Sequence, residues 1–104
     1  MSATAALLKG SEEGLSEDDL RVATALIYAR FRGLFTSVTK DFSREGHTEL
    51  VVWRAGTNGP LFRIGRWNGR YVAIDESTGK ILDAARLESL LEAVRALYPP
   101  ISAF

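Results

Sequence analysis

Between Thr48 and Leu82 the chain alternates short β-branched and aromatic runs with glycine-bearing turns, and no other feature restricts its fold as strongly. The runs cover 48–55, 61–66, 70–75 and 80–82, separated by Gly56-Thr-Asn-Gly-Pro60, Trp67-Asn-Gly69 and Ser77-Thr-Gly79. Loops this short join antiparallel neighbours, because a parallel connection needs roughly a dozen residues or more. The middle of the chain therefore reads as a β-meander.

The bend at Asn68-Gly69 decides which side chains share a face. A two-residue loop pairs Trp67 with Arg70, Arg63 with Ile74 and Phe62 with Asp75, and mixes charged with aliphatic groups on both faces. A three-residue loop, with Gly69 left-handed in a bulge, pairs Arg66 with Arg70, Ile64 with Val72 and Phe62 with Ile74. It gathers Phe62, Ile64, Val72 and Ile74 on one face and Arg63, Gly65, Tyr71 and Ala73 on the other. Burying four large apolar side chains at ~1.5–3 kcal/mol each outweighs two like charges at an exposed tip, which cost well under about 1 kcal/mol. The three-residue loop is the expectation. The same logic at Ser77-Thr-Gly79 sets Ile74 opposite Leu82 and Glu76 opposite Lys80. Strand 48–55 has Leu50 and Val52 pointing one way and Val51 and Trp53 the other, as in a strand covered on both sides or meeting a partner.

Helical patterns flank the meander. Ser16 is placed to cap a helix over 17–32, with Leu15 stapling onto Leu20. Glu17, Asp18 and Asp19 suit its positive end, while Arg30 and Arg32 suit its negative end. Leu20, Ala23, Ile27 and Phe31 form its apolar stripe, and Gly33 stands where a left-handed residue ends a helix. Leu34, Val38 and Phe42 continue the helical spacing, but Thr36, Val38 and Thr39 are β-branched, which favours a strand over 34–42. Asp83 is expected to cap a second helix over 84–97, with Leu87, Leu90, Leu91, Val94 and Leu97 inward and Pro99-Pro100 as its stop. The fold class that follows is α+β: an antiparallel meander of 4–5 strands with an N-terminal and a C-terminal helix packed on one face. Residues 1–15 read as a flexible arm and 16–104 as a single domain.

With 104 residues, 46% of them hydrophobic, the chain is long enough for one core and too apolar for disorder. No cysteine is present, which removes disulfide scaffolds, thiolate metal sites and cysteine nucleophiles together. No apolar stretch approaches the ~20 residues of a membrane span. The first residues lack a basic stretch ahead of their apolar ones, so no leader is expected and the cytoplasm is the default location. The formal net charge of zero argues against a dedicated nucleic-acid binder. That zero hides segregation: 11–19 is purely acidic, whereas 51–74 carries Arg54, Arg63, Arg66 and Arg70 with no acid. Arginine outnumbers lysine ten to three, a preference that suits anion recognition and that a GC-rich, bacterial-like coding bias also produces.

Catalytic constellations are scarce. His47 lies between Glu45 and Glu49, a combination suited to general-base or metal chemistry, although a lone turn histidine is more often a solvated loop residue. Gly65-Arg-Trp-Asn-Gly69 lacks the lysine and following helix of a phosphate loop. Asp75, Glu76 and Asp83 have structural duties as turn former, partner of Lys80 and helix cap. Tyr71-Val-Ala-Ile-Asp-Glu-Ser-Thr-Gly-Lys-Ile81 resembles the strand–turn–strand phrase in blades of quinoprotein-type β-propellers. It occurs once, whereas a propeller repeats it, so the resemblance implies a tight hairpin and no cofactor. The least ordinary cluster joins Arg63 and Tyr71 on the reverse face to Trp67, Arg66 and Arg70 at the tip, with Trp53 and Arg54 nearby. The expected function is a non-catalytic module that docks a protein partner or a second copy of itself, through this surface or an edge strand, with no cofactor or metal. The alternative is a small nucleic-acid- or anion-binding protein using the same arginines and aromatics.

Overall fold

The computed structural model describes residues 14–98. Its elements run α1 (Glu17–Arg30), β1 (Phe35–Phe42), β2 (Thr48–Arg54), β3 (Pro60–Trp67), β4 (Arg70–Asp75), β5 (Ile81–Ala84) and α2 (Leu87–Arg95). The strands form one antiparallel sheet in the order β1-β2-β3-β4-β5, so the fold is the α+β meander, with 34–42 supplying its first strand.

Local chemistry explains α1. The Asp19 amide donates to Ser16 Oγ and the Ser16 amide donates to Asp19 Oδ2, each at 3.0 Å, which satisfies two amides the helix leaves open. After Phe31 the chain turns at Gly33, whose φ of +81° a residue with a side chain adopts only with strain. At the other end, α2 departs from expectation. β5 runs on to Ala84, which pairs with Tyr71, so Asp83 is a strand residue and caps nothing. Arg86 takes the N-cap position without a side-chain hydrogen bond. The helix closes at Arg95, and Pro99-Pro100 lies outside the described residues. So do residues 1–13 of the expected arm. Its last two are docked: the Gly14 amide donates to the Arg66 carbonyl at 2.9 Å and that of Leu15 to the Thr48 carbonyl at 3.0 Å. Among the described residues no helix is long and apolar enough to cross a membrane.

The hairpin register corrects the sequence reading. Trp67 pairs with Arg70, Arg63 with Ile74 and Phe62 with Asp75, the two-residue loop. Asn68 and Gly69 both have positive φ, 53° and 75°, the turn whose twist matches that of the flanking strands. Phe62 and Ile64 therefore face the helices, while Val72 and Ile74 face away. Within this hairpin alone, side-chain burial favours the bulge. The charges that a two-residue loop sets among aliphatics find partners elsewhere in the chain. The next turn departs in the opposite sense and is longer than expected: the Asp75 amide donates to the Lys80 carbonyl at 2.9 Å, and Ile74 pairs with Ile81 instead of Leu82.

Two rows of residues crossing the sheet define the covered face. One is Lys40, Leu50, Ile64, Ala73 and Leu82; the next is Val38, Val52, Phe62 and Asp75. Ala23 and Ile27 of α1, Phe31 beyond it, and Leu87, Leu90, Leu91 and Val94 of α2 complete this core. The Phe31 and Phe62 rings meet at 5.2 Å. Burial of each large side chain contributes roughly 1.5–3 kcal/mol, so both helices are held to this side.

Candidate functional site

The opposite face has no helix on it among the described residues. Its central row is Thr39, Val51, Arg63, Ile74 and Ile81, one residue from each strand. Arg63 gathers charge from three directions. Its Nη1 lies 3.2 Å from Asp41 and 3.6 Å from Glu49, and its Nε lies 3.1 Å from Glu76. Glu76 was expected to pair with Lys80; the longer turn brings it to Arg63 instead. Trp53 lies on this face too, its indole N–H donating to Thr39 Oγ1 at 2.9 Å.

The expected arginine-and-aromatic surface is divided between the two faces. Trp53, Arg63 and Trp67 are on the open one. Tyr71 is under α1, its hydroxyl donating to Asp19 Oδ1 at 2.7 Å, and burial followed by that contact raises its pKa. Arg66 goes with it: the guanidinium lies 5.2 Å from the Tyr71 ring centre and 3.7 Å from Asp19 Oδ2. Arg70 stays at the hairpin tip, 2.7 Å from Asp83. Arg54 ends β2, and its charge acts on Tyr98. A helix over Tyr71 and the two-residue turn together dissolve the single cluster that the sequence suggested.

What the open face does hold is a cleft of about 290 Å³. Gly65 forms part of its lining, with Val72 and Ile74 beside it and Trp67, His47, Glu45 and Glu49 around it. Gly65 is the one glycine inside a strand among the described residues. A Cβ there would meet only the Glu49 side chain, at 3.6 Å from Oε2 and 3.7 Å from Cγ, so the carboxylate lies across the glycine. Burial pushes the Glu49 pKa up; Arg63 opposes the shift, and the neighbouring Asp41 and Glu45 add to it. Asp41 moves the other way, lowered by the Phe42 amide and then by Arg63. The His47 and Trp67 rings are tilted together at 6.4 Å. Of the lining residues, Trp67 is 55% and Ile74 38% exposed; Ile81, paired with Ile74 on β5, is 65% exposed.

Glu49 entered the sequence reading only as a metal-ligand candidate beside His47. Among the described residues no group of three histidine, aspartate or glutamate side chains is placed to hold a metal ion. The useful signal was Gly65, since a glycine within a strand marks a close approach. Glu49, aligned with it across β2 and β3, follows once the register is known. Asp75, weighed as one of a catalytic carboxylate group, is 6% exposed on the covered face. It accepts from Thr78 Oγ1 at 2.6 Å, Ser77 Oγ at 3.1 Å and Tyr98 Oη at 3.3 Å, which suits a structural anchor. No protein-family model, curated protein or solved structure matches the chain.

Proposed function

We propose that this chain is a non-catalytic protein-interaction module whose uncovered sheet face docks a partner protein. The observation that carries the reading is the placement of exposed Trp67 and Ile74 at an apolar-lined cleft, with exposed Ile81 paired beside Ile74, on the face away from both helices. Aromatic side chains and arginine beside a desolvated pocket are what binding hot spots favour. The nucleic-acid alternative has less support. Arg63, Arg66 and Arg70 each lie within 3.7 Å of a carboxylate, so a phosphate would have to displace an existing partner. The β1 edge offers less than the face does. Asp41 accepts the Phe42 amide at 2.8 Å, and Lys40 adds a charge, both of which blunt strand addition.

Photo-cross-linking in cells tests this. A benzophenone side chain at Ile81 is expected to trap one discrete partner, and the same group at Tyr28, exposed on α1, to trap none. Equal products from both positions, or none from Ile81, would overturn the reading. A cross-linked pair of this chain would replace the partner protein with a second copy. Tight binding of single-stranded oligonucleotides that falls steeply with salt would favour the alternative.

A further inference from the structure

The cleft has a composition that selects its occupant, provided the open face is the docking face. Its lining is mainly apolar on the side of Val72, Ile74 and Trp67, and carries Glu45 and Glu49 at the other side. The two arginines that line it are already engaged. Arg66 faces Asp19, and Arg63 serves Asp41, Glu49 and Glu76 at once, one positive charge among three negative ones. Glu49 is desolvated by burial and sits beside two further acidic residues, Asp41 and Glu45. An entering group therefore gains by being apolar along its length and cationic at its end. The volume, about 290 Å³, is just below the ~300–1,000 Å³ of small-molecule sites, which suits one large side chain.

We infer that the cleft between Glu49, Trp67 and Ile74 receives an arginine side chain of the docked partner. Its aliphatic stem lies over Val72 and Ile74, and its guanidinium meets the Glu49 carboxylate and the Trp67 ring. Arginine suits the place better than lysine because a planar guanidinium both stacks on an indole and forks onto a carboxylate. Gly65 keeps the cleft open: a side chain there would occupy the space that the stem fills.

The test is an NMR titration of the full chain with three blocked tripeptides, Ac-Ala-Arg-Ala-amide and its glutamine and glutamate counterparts. The arginine peptide is expected to shift the Trp67 indole and Gly65 amide signals saturably, about tenfold more tightly than the glutamine one, with no response to glutamate. Glu49→Gln is expected to remove most of that tenfold preference. Gly65→Val, whose Cβ meets only the Glu49 side chain, is expected to abolish the shifts while the remaining spectrum stays folded. Equal response to arginine and glutamine, or undiminished binding by Gly65→Val, would overturn the assignment. A partner still trapped at Ile81 when the arginine peptide fails would overturn the arginine assignment alone. Failure of both would remove the docking face as well.

Discussion

The two faces of the sheet treat charge in opposite ways. On the covered face the ionic groups beneath the helices are locked into fixed contacts: Asp19 with Ser16 and Tyr71, Arg66 against Asp19, Asp75 with Ser77, Thr78 and Tyr98. On the open face one arginine is shared among three carboxylates, all in contact with water, beside an apolar cleft. The covered face spends its polar groups on anchoring helices; the open face leaves a surplus of negative charge and exposed aliphatics. A strand pair that mixes charge and hydrocarbon on both sides is thus a sound arrangement, provided distant residues neutralise the charges.

The sharpest contrast comes from shortening a covered side chain. Phe62→Ala removes a fully buried ring from beneath both helices and is expected to cost about 3–5 kcal/mol in urea unfolding. A loss below about 1 kcal/mol would mean the covered face is not the core. Asp19→Ala comes next. It takes away the acceptor of the Ser16 amide in the α1 capping box and the acceptor of the Tyr71 hydroxyl, for an expected loss of about 2 kcal/mol.

Asp75 gives the comparison a pH axis. Burial pushes its pKa up, but hydrogen bonds from Thr78, Ser77 and Tyr98 outweigh this and hold it below the ordinary value. A depressed native pKa contributes stability above the unfolded-state value, about 3.9, and loses it as pH falls through the native one. Urea midpoints should therefore drop below about pH 4, and Asp75→Asn should flatten that limb while starting lower at neutral pH. The smallest effect belongs to the open face. Arg63→Met breaks three water-exposed ion pairs and should change stability by less than about 1 kcal/mol, a difference that shrinks further in high salt.

Features set by near neighbours were legible in the sequence. Ser16, Asp19 and Gly33 lie within a turn or two of the ends they define, and α1 formed between them. The turn residues likewise announced a meander. The register was not legible, because what stabilises it comes from far along the chain. Asp75 is satisfied by Tyr98, 23 residues on, and Tyr71 by Asp19, 52 residues back. Arg63 finds Asp41 across 22 residues. Asp83 read as a helix cap for a related reason: Arg70, its partner, becomes visible only when β4 and β5 are paired. At the site, Arg63 and Trp67 share a face because their even spacing within β3 decides it, whereas Trp53 joins them only through the pairing of β2 with its neighbours. Arg66 and Tyr71 were lost to α1, whose position over the hairpin no local pattern encodes.

Adjacent positions in β4 offer the most direct measurement. The chain has no cysteine, so single Ala73→Cys and Ile74→Cys variants each carry one thiol against no background. Ala73 is 2% exposed beneath the helices, and Ile74 points the other way. With a thiol reagent under native conditions, the Ile74 variant should react within about tenfold of its unfolded rate. The Ala73 variant should react at least about a thousandfold more slowly, limited by unfolding. Protection at position 74 with rapid labelling at 73 would reverse the two faces and contradict the account.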